Sequence, residues 1–298
     1  MNFGDIEKVV EWAHDPAVFL EDCVVLKTVD GNIPFGVTSY QKRMFEAIAN
    51  TQFTVCKWSR QAGKTSAVIG YCLWYLIFHN DTNVALISCN RQRAKNVICC
   101  MNRMYESLPE EVMPQRCTLS DVPGAHATMF ENGSVFYSIT THEFETFFGT
   151  HEGINLLIID DFDDFSEDDV NAVINRILPR VTQNEKVVAV STPRGLKGAL
   201  QSLVEALGDR NVALITGKRD VLFDDEDGIM RRADKHADFY QSHMMGNPLR
   251  HMQEFCCIDG NTPISCKFLF DGQEIATSLY QFYRWLQDLN GDRPSKGE

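Results

Sequence analysis

Short runs rich in β-branched and aliphatic residues recur along the chain at 53–57, 84–88, 134–139, 156–159, 187–191 and 212–216. They are mainly apolar, and 156–159 is apolar throughout, the pattern of strands buried on both faces of a parallel sheet. Helical segments separate them, so the alternation predicts βαβ units and an α/β fold with a mainly parallel sheet flanked by helices. Ahead of the first run, residues 6–13 have helical period and Asp15-Pro16 opens a second short helix. Asn32-Ile33-Pro34 then breaks the chain before a helix that starts near Tyr40-Gln41. From 198 to 253 the pattern is mainly helical, with an acidic cluster at 224–227, which predicts a smaller subdomain. After Cys256, Asp259-Gly260-Asn261 and Asp271-Gly272 mark turns around a short strand, and 276–289 form an amphipathic run.

Composition adds bounds rather than detail. The 298 residues, 44% hydrophobic and 23% charged, suit a globular chain with a buried core. The longest apolar stretch, 67–78, is too short for a bilayer span of about 20 residues, so a cytoplasmic protein without a membrane partner is expected. Ten cysteines show no Cys-x-x-Cys pair, and reduced thiols are expected rather than a disulfide framework or zinc site. The net charge of −13 argues at first against nucleic acid. Part of that acidity is concentrated at 160–169 and 224–227, so net charge bounds solubility and does not exclude a DNA partner.

One loop has the context for phosphate binding. Ser59-Arg60-Gln61-Ala62-Gly63-Lys64-Thr65-Ser66 follows an apolar strand and opens a helix with Ala67-Val68-Ile69. In that order, backbone N–H groups from Gln61 to Thr65 can wrap a β-phosphate at the positive helix N-terminus. Lys64 is expected to reach the β- and γ-phosphates of ATP, and the Thr65 hydroxyl to hold Mg2+. Trp58 stands where the GxxxxGK[ST] pattern has its first glycine. Arg60 reads equally as a cation for charge developing on the γ-phosphate or as a surface arginine.

Leu156-Leu157-Ile158-Ile159 is an apolar run that ends in Asp160-Asp161. A buried parallel strand delivers side chains at its C-terminal edge, where α/β sheets bind ligands. Asp160 is therefore expected to bind Mg2+ and Asp161 to act as general base on water. The competing reading is an acidic helix cap, since Asp163, Asp164, Glu167, Asp168 and Asp169 continue the acidity. Another apolar run, 187–190, ends in Ser191-Thr192-Pro193-Arg194-Gly195. Hydroxyls there can bond the γ-phosphate or its water and relay its loss, while Pro193 and Gly195 make a turn in any case. Upstream, Tyr40-Gln41 offers an amide for adenine with a ring beside it.

Taken in order, Ile33-Pro34-Phe35 with Tyr40-Gln41, Thr54-Val55-Cys56 leading into the 59–65 loop, and Glu131-Asn132-Gly133-Ser134 form a series. The strand ending at Asp160-Asp161 and Ser191-Thr192-Pro193-Arg194-Gly195-Leu196 complete it. The series resembles the large terminase subunit of tailed bacteriophages, closest to the T-even-like branch, over about residues 8–256. The resemblance implies an additional-strand P-loop ATPase that drives double-stranded DNA into a procapsid. It further implies that Gln41 contacts adenine, Arg60 and Lys64 engage phosphates, Asp160 binds magnesium, Asp161 stands at the catalytic carboxylate position, and Ser191-Thr192 couple hydrolysis to motion. Implied partners are the portal protein of the procapsid and a small terminase subunit, with a ring of identical chains on the portal. The site of action would be the cytoplasm of the infected cell, not the mature virion. Two departures stand out: the family usually has glutamate at the place of Asp161, and often Arg-Gly where this chain has Phe148-Gly149. Rival readings are a helicase-like DNA-dependent ATPase and a catalytically weak nucleotide-binding assembly protein.

The expected organisation is an ATPase core at 1–197, a helical subdomain or lid at 198–256, and a separate tail at 257–298. Family members continue into a ribonuclease-H-type nuclease domain. The residues after Cys256 are too few for one, so endonuclease activity is not expected from this chain alone. Cys257-Ile258-Asp259-Gly260-Asn261-Thr262-Pro263-Ile264 is similar to the opening of an intein. On that reading Cys257 is the nucleophile that attacks its preceding carbonyl; the alternative is a divergent C-terminal subdomain.

Overall fold

A computed structural model describes residues 3–28, 31–60, 62–112, 116–117, 126–148, 153–192, 198–208, 210–217, 263–270 and 273–278. Helix α1 (Phe3–His14) is followed by α2 (Pro16–Cys23), whose start is fixed as the Asp15-Pro16 signal predicts. The Asp15 carboxylate accepts from the Ala17 and Val18 amides at 2.7 and 3.3 Å, and proline takes the first helical position. Strands β1 (Val25–Thr28) and β2 (Gly31–Pro34) pair antiparallel and lead to α3 (Ser39–Asn50).

The main unit then alternates as the apolar runs predict. In chain order it comprises β3 (Phe53–Trp58), α4 (Lys64–Phe78), β4 (Asn83–Ser88), α5 (Arg91–Tyr105), β5 (Arg116–Cys117), β6 (His126–Phe130) and β7 (Val135–Thr140). It continues through α6 (Thr141–Phe148), β8 (Leu156–Asp160), α7 (Glu167–Ala172), β9 (Lys186–Ser191), α8 (Ala199–Leu207) and β10 (Val212–Gly217). Eight strands form one sheet in the order β10-β3-β9-β8-β4-β7-β6-β5. The first six are mutually parallel, and β6 and β5 add antiparallel at one edge. Because β9 lies between β3 and β8, the sheet has the additional-strand topology.

Period-two alternation splits the core into two layers. Val84, Leu86, Leu156, Ile158, Val188 and Val190 face the layer built on α1 to α5. Ala85, Ile87, Leu157, Ile159, Val187 and Ala189 face the opposite layer, which includes Phe144 of α6 and Leu203 of α8. Both α8 and β10 fall in the 198–256 segment that the sequence pattern sets apart as helical. Strand β10 nevertheless pairs with β3 along its whole length, so residues 212–217 extend the main sheet. Residues 218–256, including the acidic cluster, and Cys257 lie outside the described residues. In the tail, β11 (Pro263–Phe270) and β12 (Gln273–Ser278) pair antiparallel, while the turn expected at 271–272 lies outside the described residues. Among the described residues no helix is long and apolar enough to cross a membrane.

The Glu131-Asn132-Gly133-Ser134 segment turns β6 into β7 and closes the far end of α4. Asn132 Nδ2 donates to the carbonyls of Leu76, Ile77 and His79 at 2.7, 3.4 and 3.2 Å, and Ser134 Oγ donates to His79 at 2.7 Å. These are carbonyls that a helix end leaves unsatisfied. Gly133 has φ +80°, and a Cβ there would fall 2.1 Å from the Asp81 carboxylate, so only glycine fits the turn. Asn132→Ala removes the shared donor from a half-buried helix end. It is expected to destabilise the fold by about 1–3 kcal/mol, read as a lower urea midpoint at unchanged m-value.

Candidate nucleotide site

Parallel pairing brings the C-terminal ends of β3, β9 and β8 to one edge, with Lys57 beside Ser191 and Asp160 beside Val190. The segments that leave these three strands therefore meet there. After β3 the loop 59–63 runs into α4, whose N-cap Gly63 adopts φ +72°, ψ +24°. A Cβ at Gly63 would be strained by that φ and would stand 3.0 Å from Gln41 Nε2. Trp58, at the place of the missing first glycine, is the last residue of β3, extended and fully buried edge-on against Tyr40. A strand position needs no glycine, which accounts for the departure from the usual pattern.

Lys64 is buried, and its Nζ donates to the Ser59 carbonyl at 3.2 Å and to Thr192 Oγ1 at 2.6 Å. Thr65 Oγ1 donates to Asp160 Oδ2 at 3.0 Å. The loop thus touches both neighbouring motifs: Thr192 at the end of β9, and Asp160 at the end of β8. Ser191 is buried beside them, and its Oγ accepts from the Asp163 amide at 2.8 Å. Asp163 in turn accepts from the Leu200 amide at 3.3 Å, in the first turn of α8. Strand β9 consequently connects the phosphate loop on one side to the turn after β8 on the other. Gln61 and Pro193 lie outside the described residues, and Arg60 is exposed.

Asp160 is the most perturbed group of the site. Burial foremost, then the neighbouring Asp161 charge, push its carboxyl up to about 7, against the Thr65 hydroxyl, Lys64 and Arg93. Its Oδ1 is buried with no hydrogen-bond partner among the described residues. An orphaned carboxylate oxygen beside a threonine hydroxyl fits Mg2+, a hard cation that takes one or two protein oxygens and completes its shell with phosphate and water. Asp163, half-buried, is raised to about 6, again mainly by burial.

Asp161 follows in the left-handed region, φ +53°, ψ +46°, which aspartate tolerates better than most residues. Its carboxylate accepts from Arg93 Nη1 at 2.7 Å, while Arg93 Nη2 binds Asp164 at 2.6 Å. Sequence reasoning does not single out Arg93. Its one signal is a place in the first helical turn after an apolar strand, which Arg91 shares. Arg91 binds Glu143 instead, at 3.0 Å.

Tyr40 and Gln41 meet the loop as well. Tyr40 OH and Gln41 Nε2 donate to the Ala62 carbonyl at 3.0 and 3.4 Å, and Gln41 Oε1 accepts from the Thr38 amide at 2.9 Å. Both also line a cavity of about 460 Å³ beside the loop, bounded by the β1-β2 pair, the start of α3 and α5.

A phosphate loop, a buried strand ending in paired aspartates, and a strand inserted between the two define a P-loop NTPase of the additional-strand class. Residues 55–241 match the family described as terminase large subunit, T4likevirus-type, N-terminal, and the chain belongs to that family. Among solved structures, it is similar to the large terminase ATPase domain of Thermus phage P74-26, with TM-score 0.55 and 14% identity over 74% of this chain and 93% of that one. The large terminase of bacteriophage HK97 gives TM-score 0.58 and 16% identity over 85% of this chain; the match spans 60% of that protein. The large terminase of a thermophilic bacteriophage, solved in complex with ATP-gamma-S, gives TM-score 0.53 and 12% identity over 86% of this chain and 74% of that one. At such identities these likenesses establish the fold.

The folded chain holds the Asp160 proton up to pH about 7, whereas an unfolded aspartate loses it near 3.8. Between those values the folded state carries the extra proton, so this group's contribution to stability falls as pH rises through the window. Without Mg2+, Asp160→Asn should therefore gain stability relative to wild type as pH rises from about 4 to about 7. Urea unfolding at several pH values measures the difference, and parallel curves would refute it.

Proposed function

We propose that this chain is the ATP-hydrolysing motor part of a phage DNA-packaging terminase, moving double-stranded DNA into a procapsid. The observation that carries the reading is the pair of contacts Lys64–Thr192 and Thr65–Asp160, which joins three motifs of a hydrolytic nucleotide site. Partners on this reading are the portal, a small terminase subunit and further copies of the chain in a ring. The setting is the cytoplasm of the infected cell.

Each residue then has a task. The loop amides and the N-terminus of α4 bind the β-phosphate, and Lys64 leaves its neutral acceptors for the β- and γ-phosphate oxygens. Thr65 and Asp160 would hold Mg2+, which supplies charge neutralisation at the phosphates when bound. Asp161 takes the proton of the attacking water once Arg93 is drawn off its carboxylate. Arg60, exposed on the loop, is the candidate cation for the γ-phosphate's developing charge. Loss of the γ-phosphate is felt through the Lys64–Thr192 contact by β9, and through Ser191 by the Asp163 turn and α8. That path is the coupling element of the motor.

Mg2+-dependent phosphate release tests the reading. Lys64→Ala should lower turnover by about 10²-fold or more, the usual scale for losing a main transition-state cation. Asp161→Ala should do the same with ADP binding intact, while Asp161→Glu keeps or raises the rate. Tight ATP binding without hydrolysis by the wild type would favour the weakly active assembly protein instead. Asp161→Glu as inactive as Asp161→Ala would remove Asp161 as the base.

A further inference from the structure

The cavity beside the phosphate loop has a wall that no motif of the sequence points to. Gly63, Ser66 and Gln41 all line the cavity. So do Cys100, Arg103 and Met104 of α5, and Lys27 of β1. Among the described residues that line it there is no carboxylate, and neither Lys27 nor Arg103 has an ion-pair partner among the described residues. Two unneutralised cations thus face a cavity with apolar walls, in a chain whose net charge is −13. Burial pushes the Cys100 thiol up while the Arg103 charge opposes the shift, which puts the guanidinium within electrostatic reach of that cavity-lining sulfur. Lys64 and Asp160 are not among the lining residues, whereas Gln41, which the family resemblance assigns to adenine, is; on that assignment the cavity takes the base side of a bound nucleotide. The anion of a bound nucleotide that reaches this side is the α-phosphate.

We propose that Arg103 is a nucleotide-positioning residue, its guanidinium pairing with the α-phosphate in the cavity that Gln41 also lines. The assignment rests on the reading that this site binds ATP. Nucleotide seated there lies against Cys100 and shields its thiol. Neighbouring Cys99 is exposed and stays open to reagent, which makes it an internal reference. Arg103 acts on binding and stands apart from the Lys64, Asp160 and Asp161 chemistry, so it should govern KM and leave kcat alone.

The test uses the full chain with ADP, Mg2+ and ATP. N-ethylmaleimide labelling under mildly alkaline conditions, read peptide by peptide in a mass spectrometer, should slow at Cys100 by about tenfold under saturating ADP, with Cys99 unchanged. Arg103→Gln should raise the KM for ATP and the Kd for ADP by about 5–10-fold, the worth of one charge-assisted hydrogen bond open to solvent, with kcat within about twofold. Arg103→Lys keeps the charge and should recover most of the loss. Labelling of Cys100 at an unchanged rate while ADP is measurably bound, or an Arg103→Gln KM equal to wild type, overturns the assignment and leaves the ATPase reading standing. ADP affinity unchanged in Lys64→Ala would instead remove the phosphate-loop reading, and this assignment with it.

Discussion

Taking a carboxylate out of water at the end of a fully apolar strand is the constraint that organises this molecule. Strand β8 delivers Asp160 into the interior with one oxygen bonded to Thr65 and the other bonded to nothing among the described residues. Burial therefore favours the protonated acid, and a divalent cation bound there would offset that cost. The remaining devices hold Thr65 and Lys64 beside that position. Asn132 and Ser134 anchor the far end of α4, Tyr40 and Gln41 fasten the loop at Ala62, and Gly63 permits the turn into the helix. A helix fixed at both ends presents its first turn with little freedom, which is what phosphate binding by backbone amides requires.

The inserted strand gives the site its second property. Thr192 meets Lys64 and Ser191 meets the Asp163 amide because β9 lies between β3 and β8. Hydroxyls are suited to this place: they accept and donate, and they exchange partners without carrying charge into the interior. A change of partner at Lys64 would therefore be transmitted through neutral hydrogen bonds on one strand to Asp163 and the first turn of α8.

How much of this is legible in the sequence depends on the range of each signal. The six apolar runs are β3, β4, β7, β8, β9 and the edge strand β10; the inner strands, buried on both faces, advertise themselves by composition alone. The β1-β2 pair and the short β5 and β6 carry too few apolar residues to register. Strand β10 is legible as a run but its partner β3 is not, since pairing across more than 150 positions leaves no local trace; the pattern accordingly groups 198–217 with the helical segment. The phosphate loop can be read from its strand-loop-helix order, yet Trp58 in place of glycine is intelligible only as the end of a strand. Glu131-Asn132-Gly133-Ser134 can be picked out without its purpose, because a turn that caps a helix more than 50 positions away is a tertiary fact.

Arg93 is the clearest case of what sequence withholds. Nothing local distinguishes it from Arg91; topology alone sends one guanidinium to Asp161 and Asp164 and the other to Glu143. The same geometry bears on why aspartate stands at 161. Its backbone occupies the left-handed region immediately after β8, where a short polar side chain is favoured over a long one. Glutamate would gain a methylene of reach at the expense of that turn, and would displace the carboxylate from the fork of Arg93. Aspartate at this position thus combines a backbone conformation it tolerates with a carboxylate held in an ion pair by Arg93 of α5.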